Sequence, residues 1–266
     1  MSLAFAIAAE KAAIDGIDAP RLLTGSEQDQ IISDLLEGHI ADGTGPRWPP
    51  SLSPEVRSSR IFRTELRELY ARCVDTQRQL GAGDLPGRLA ERGKLATRDE
   101  WVAAGAFWRD YIDAVSEAKT HFFDSSEMVA IAALALEDPN TMAGTKLVIV
   151  DDAQELTYGA ANMLRAFAAR GVPVVMFGDP DVASTTFRGA VPNLLGKAST
   201  YLGVTVDTHV LTTVHRHNPT IRMVVSSVTS RIGAASAGTQ RKAVTSTTFT
   251  TTIPAPSSAA AVTLLE

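Results

Sequence analysis

The residues best able to do chemistry lie at the ends of two short apolar runs. In Val148-Ile-Val-Asp-Asp-Ala-Gln-Glu-Leu156, two adjacent carboxylates, Asp151 and Asp152, directly follow a β-branched segment. Carboxylates projected from the carboxyl end of a buried strand can hold a divalent cation or a phosphate-bound one. The plain alternative is that the pair opens a loop and caps the next helix. The second run leads into Val174-Val-Met-Phe-Gly-Asp-Pro-Asp-Val-Ala-Ser-Thr-Thr-Phe-Arg-Gly-Ala190. There Phe187 sits beside Arg188, and an aromatic face next to a guanidinium is a platform on which single-stranded bases of any sequence stack. Core filling is the alternative role for Phe187. A third group is basic: at about 100° per residue, Arg57, Arg60, Arg63, Arg67 and Arg78 share about one third of a helix circumference. Such a face meets either duplex phosphates or solvent and acidic partners. His121 and His217 lack partners at ligand spacing and read as structural.

The elements that must position these groups follow from periodicity. Ser58 to Leu80 reads as a helix with Phe62, Leu66, Leu69 and Cys73 on one stripe. Asp99 is placed to cap a helix through Trp101, Phe107, Trp108, Ile112 and Val115. Asp124-Ser-Ser-Glu127 opens another as a capping box around Met128 to Leu136, and Asp138-Pro139 stops it. Beyond Pro139 the pattern changes to strand and helix in alternation. The expected order is a strand at Lys146 to Val150, a helix over Tyr158 to Ala169, strands at Val172 to Phe177 and near Val204 to Leu211, and a helix from Pro219. Continuously apolar strands of this kind belong to a parallel sheet covered on both faces, with its site at the carboxyl edge. From Ala234 an Ala/Ser/Thr-rich stretch reads as a linker or the start of a further unit, and Ala261 to Glu266 as a strand.

Composition sets limits. The chain has 266 residues, 45% hydrophobic and 21% charged, which supports a packed core and one or two domains. Lys and Arg number 25 against 30 Asp and Glu, a net charge of −5. That excludes holding nucleic acid by bulk positive charge, though not by a local basic face. A single cysteine, Cys73, excludes an internal disulfide framework and a cysteine-cluster metal site. The longest wholly apolar run, Met128 to Leu136, is about half a membrane span. The first residues lack the basic region of a signal peptide. The expectation is a cytoplasmic protein with no membrane partner. Charge also shifts along the chain, from acidic before Glu55 to basic over Val56 to Glu100, across the Pro/Gly/Ser stretch Gly43 to Pro54.

Asp151-Asp152 fits two phosphate-handling designs, a receiver domain and a Walker B site. A receiver needs its acceptor on a third strand and a lysine on a fifth. Here the next strand already carries Gly178-Asp179, and a long helical region lies in front. The two segments together resemble UvrD/Rep-type superfamily 1 ATP-dependent DNA helicases. The second motif of that family reads Val-Asp-Glu-x-Gln-Asp, and its third reads Gly-Asp-x-Asp-Gln-Ser-Ile-Tyr-x-Phe/Trp-Arg-Gly-Ala. Leu211-Thr-Thr-Val-His-Arg-His217 stands where the family has Leu-x-x-Asn-Tyr-Arg-Ser. Weaker likenesses are Arg21 to Gln30 and His121 to Met128, which resemble the segments leading into and out of the helical insertion. Gly45-Pro-Arg-Trp-Pro-Pro50 and Phe62 to Arg67 are similar to actinobacterial helicase–nuclease subunits.

The resemblance implies an α/β fold: a RecA-like (P-loop NTPase-type) parallel sheet with a large helical insertion. The implied divisions are 1–37 and 123–233 for the motor domain, 38–122 for the insertion, and 234–266 for a linker or the start of a second motor domain. It implies ATP-driven movement on single-stranded DNA and duplex junctions in DNA repair or recombination, with Mg2+ and ATP as cofactors. Asp151 would hold Mg2+ and Asp152 would position water. Gln154, His215 and Arg216 would meet nucleotide, with Arg216 stabilising phosphoryl charge. Phe187 and Arg188 would grip single-stranded DNA, while Arg57, Arg60, Arg63 and Arg67 would meet duplex. A helicase–nuclease partner subunit belongs to the same picture. The sequence departs from the family in several places. There is no Gly-x-x-x-x-Gly-Lys-Ser/Thr loop, Asp152 replaces a Glu about 1.5 Å longer, Val182 replaces a Gln, and His215 replaces a Tyr. In the family the phosphate loop precedes the point where this sequence starts. The chain alone is therefore expected not to hydrolyse ATP and to hold no cofactor tightly. The rival from another class is a non-hydrolysing structural or DNA-binding subunit with a degenerate nucleotide site.

Overall fold

A computed structural model describes residues 2–80, 84–118, 121–179, 183–186, 189–191, 193–215, 218–229 and 244–245. The order is α1 (Ser2–Asp15), β1 (Arg21–Leu22), α2 (Gly25–Asp42), α3 (Pro54–Arg57), α4 (Arg60–Leu80), α5 (Leu85–Leu95), α6 (Asp99–Ala118), β2 (Phe122–Phe123) and α7 (Ser125–Ala135). It continues with β3 (Val148–Val150), α8 (Tyr158–Ala169), β4 (Val174–Met176), α9 (Ala198–Leu202), β5 (Thr213–Val214), α10 (Pro219–Thr229) and β6 (Val244–Thr245). The fold is mixed α/β and mostly helical. Its described strands form short parallel pairs, β1 with β2, β3 with β4, and β5 with β6. Among the described residues no helix is long and apolar enough to cross a membrane.

Two apolar clusters divide the molecule. One gathers Ile7 of α1, Met128 and Leu136 around α7, Val148 of β3, Phe167 of α8 and Leu202 of α9. The other is helical, with Ile32 and Leu36 of α2, Phe62, Leu66 and Tyr70 of α4, Leu89 of α5, and Phe107 and Trp108 of α6. The chain enters the helical unit at β1 and leaves at β2, which lie side by side: Arg21 N–H donates to His121 O and Leu23 N–H to Phe123 O, each at 2.8 Å. Helix α2 runs unbroken through Gly38 and buries its face in the helical cluster, so the helical unit starts at α2. The Pro-rich stretch before α3 is a loop within that unit, where Trp48 and Leu52 pack on its core.

Local signals explain most of these helices. Thr24 and Glu27 form a reciprocal capping box on α2, and Gly43 in the left-handed region ends it. Asp124 and Glu127 do the same for α7, as expected. The buried row of α4 is Phe62, Leu66, Tyr70 and Val74, whereas Leu69 and Cys73 are half-buried. Tyr70 turns the row because its ring stacks on Trp108, centroids 4.1 Å apart, and its hydroxyl donates to Glu127 Oε1 at 2.9 Å.

The sheet differs from expectation in two respects. In β3 and β4, Val148, Val150, Val174 and Met176 face the first cluster, but Ile149 is 64% exposed and Val175 is also open. Among the described residues helices pack against one face of the pair only, and a run apolar at every position cannot reveal this. The strand expected near Val204 to Leu211 is absent as well: that stretch forms no ladder with any described strand, and pairing begins at Thr213. Alternating valines supply a pattern, but a strand also needs a neighbour's backbone groups. Residues 246–266, including the strand expected at the end, lie outside the described residues.

Candidate functional site

The loops after β3 and β4 meet at the carboxyl end of the parallel pair. Val148 pairs with Val174 and Val150 with Met176, so Asp151-Asp152 and Gly178-Asp179 emerge side by side. Phe177 N–H donates to Val150 O, and Ala153 N–H to Phe177 O, each at 2.8 Å. Gln154 straps the loops together. Its Nε2 donates to Asp152 Oδ1 at 3.2 Å, and its Oε1 accepts from Asp179 N–H at 3.1 Å. At 6% exposure its amide ties the two loops together through both ends. Gly178 is required by this approach: a Cβ there would lie 2.5 Å from Gln154 Oε1 and 2.8 Å from Leu195 Cδ1. Asp151 and Asp152 are both exposed. Asp152 takes the left-handed conformation, φ 49°, which Asp tolerates better than most side chains, and its N–H donates to Asp151 Oδ1 at 2.9 Å.

Glu155, not singled out by sequence reasoning, is the second organiser. Its Oε1 accepts from Ser184 N–H at 2.7 Å and Ser184 Oγ at 2.8 Å. Its Oε2 accepts from Thr185 N–H at 2.9 Å and from Thr185 Oγ1. The hydroxyl of Thr185 and the N–H of Ser184, with their companions, hold the carboxyl down at about 2. Leu156 O accepts from Val191 N–H at 2.9 Å, and Thr157 bridges to Ala190. The loop bearing Asp151 is thus pinned to the described residues on both sides of Phe187-Arg188. The signal was visible, since Glu155 stands at the last acidic position of the quoted helicase motif.

Other expected site residues are placed as follows. His215 is exposed just past β5, in a different strand pair from the carboxylates. Phe187, Arg188, Arg216, His217 and Val182 lie outside the described residues, as does the side chain of Arg78. The arginine face is divided. Arg57 belongs to α3 rather than α4, and its Nε donates to Leu52 O at 3.1 Å. Arg63 makes a two-pronged bond to Asp29 of α2, both contacts 3.1 Å, and also donates to Ser58 O. Arg67 donates to Gly25 O at 2.9 Å. Arg63 and Arg67 therefore fasten α4 to α2, and the bond from Arg63 draws the Asp29 carboxyl below its usual value. Among the described residues no group of three or more His, Cys, Asp or Glu forms a metal cluster. Mg2+ bound through one or two carboxylates plus substrate phosphates needs no such cluster.

The seam between the two units carries buried acids. Gln28 Nε2 donates to Asp124 Oδ2 at 3.2 Å, Tyr70 reaches Glu127, and Thr157 Oγ1 donates to Asp75 Oδ1 at 3.2 Å. Burial pushes the Asp75 carboxyl up to about 6, against the opposing bonds from Thr157 and the Gly159 N–H. Burial, helped by the Asp124 charge, also raises Glu127. A carboxyl raised on folding binds its proton better in the folded state. Its contribution is therefore whole below its ordinary value and is lost as pH rises through about 6. Discounted for partial exposure, the Asp75 shift corresponds to about 2 kcal/mol. Asp75→Asn should therefore gain about 2 kcal/mol relative to wild type between pH 4 and pH 8, read from paired urea melts. A constant difference across that range would contradict the burial of the charge.

Compared with known proteins, the chain matches no family model, and no curated protein matches it.

Proposed function

We propose that this chain is part of the first motor domain of an ATP-dependent DNA translocase of the UvrD/Rep kind, with its Mg2+–phosphate site at the carboxyl edge of β3 and β4. In this reading β3 and β4 belong to a RecA-like sheet, the helical unit is its insertion, and the setting is cytoplasmic DNA repair or recombination beside a helicase–nuclease partner. The observation that carries the proposal is the fourfold grip of Glu155 on Ser184 and Thr185. One loop then presents Asp151 toward a cation and, four residues on, fixes the segment leading to Phe187-Arg188. A nucleotide-driven DNA motor requires such a link between phosphate and strand, because only a group that senses both can convert one event into the other. Asp151 would be the residue that holds Mg2+, and the cation would offset phosphate charge there. Arg216 would offset charge on the transferring phosphoryl group.

A second reading, a non-hydrolysing DNA-binding subunit, is favoured by Asp152. Its Oδ1 is engaged by Gln154, and its side chain is about 1.5 Å shorter than the Glu of the related motif. A general base displaced this far loses much of its effect. Both readings keep the cation, so the test addresses Asp151. Mn2+ titrated in the presence of ATP, followed by water proton relaxation, should bind wild type weakly and Asp151→Asn at least about tenfold more weakly, with an unchanged melting temperature. Equal Mn2+ binding by the two proteins would remove the site.

A further inference from the structure

We propose that Asp75 is a positioning residue through which helix α4 of the helical unit sets the geometry of the carboxylate loop, so that the helical unit regulates the phosphate site. This rests on the reading of Asp151 given above. Asp75 lies in the second half of α4 and crosses the seam to the start of α8. Its Oδ1 accepts the Thr157 hydroxyl at 3.2 Å, and the Gly159 backbone N–H also bonds to its carboxylate. A carboxylate borrowed from another helix therefore supplements the α8 N-cap, where exposed N–H groups and the helix dipole favour negative charge. The fit is close: a Cβ on Gly159 would lie 2.4 Å from Asp75 Oδ1, so the approach depends on that position having no side chain.

The same carboxylate reaches the other loop. Asp75 Oδ2 lies 3.6 Å from where a Cβ would stand on Gly189, with Arg72 Cγ 3.7 Å from the same point. Gly189 adjoins Ala190, the bridge partner of Thr157. Asp75 thus bonds one side of the junction, at Thr157 and Gly159, and lies beside the other, at Gly189, where the segment after Phe187-Arg188 meets the loop of Asp151 and Glu155. Among the described residues the charged group that acts on it is Asp124 at the start of α7, and its partners on α8 are uncharged. The carboxylate is held there at a burial cost, and what the junction uses is its acceptor oxygen, which takes the Thr157 hydroxyl and the Gly159 N–H. Helix α4 is one continuous 21-residue helix with Arg60 exposed at its other end, so a displacement of α4 by anything bound there is carried to Thr157.

The test is hydrogen exchange on the full chain at pH 7, with Mn2+–ATP affinity measured on the same samples. Asp75→Ala should accelerate exchange at Gly159, Ala160, Ala190 and Val191 by about tenfold or more while leaving α5 and α6 unchanged. It should also weaken Mn2+–ATP. Asp75→Asn, which keeps the acceptor, should restore most of the protection and the affinity. A merely structural role would accelerate exchange throughout the helical unit, and that outcome overturns the proposal. So does altered exchange with wild-type Mn2+–ATP affinity. If wild type binds no Mn2+–ATP, the phosphate-site reading fails by itself, and the local exchange pattern still decides whether Asp75 positions the loop.

Discussion

Trp108→Ala should destabilise the helical unit by about 3–5 kcal/mol, lowering its melting temperature by roughly 12–40 °C. Trp108 is 1% exposed and is the centre of an aromatic cluster: stacked on Tyr70 at 4.1 Å, and edge-on to Phe107 at 5.7 Å and to Tyr111 at 4.8 Å. Removing the indole leaves a void between α4 and α6 that neither helix can close, because Arg63 and Arg67 fasten α4 to α2. Trp108→Phe should cost far less. It keeps a stacking ring and removes an indole N–H that finds no acceptor among the described residues. Urea unfolding followed by the fluorescence of Trp48 and Trp101, both packed on the same cluster, measures the difference. A loss below about 1 kcal/mol for the Ala variant would show that this cluster is not the core of the unit.

The helices of this fold are legible in the sequence because their signals are local. The capping box at Asp124 and Glu127 and the span Tyr158 to Ala169 follow from caps and periodicity within a few residues. The start of the helical unit is not legible in that way. The expected start at residue 38 falls inside α2, and only the likeness of Arg21 to Gln30 marks the entry, because the boundary is the pairing of Arg21 with Phe122, a contact about a hundred residues apart in sequence. The open face at Ile149 and Val175 is hidden for a related reason: an unbroken apolar run carries no record of which side is covered. At the site, the carboxylates and their strand ends can be read directly. The roles of Gln154, Glu155 and Asp75 cannot, because each is defined by partners on another segment. The arginine face shows the limit of a helical wheel. It groups residues by angle, but Arg63 finds Asp29 and Arg67 finds Gly25, both supplied by α2.

The central claim joins a phosphate edge to a DNA grip, and the grip has the more direct measurement. Glu155 holds Ser184 and Thr185, and Thr157 holds Ala190, so the chain on either side of Phe187-Arg188 is anchored to the carboxylate loop. If Phe187 stacks on a base, the contact is worth about 1–3 kcal/mol. Phe187→Ala should then lower affinity for single-stranded DNA by roughly five- to a hundredfold, independent of base sequence, while Phe187→Trp is tolerated. Arg188 adjoins the same platform and would add cation–π and phosphate contact. The measurement is single-strand affinity by fluorescence anisotropy and melting temperature, on the same preparations of wild type, Phe187→Ala and Phe187→Trp. The account predicts weakened binding in the Ala variant at an unchanged melting temperature. A lowered melting temperature with unaltered affinity in the folded fraction would make Phe187 a core residue and contradict the DNA-gripping site.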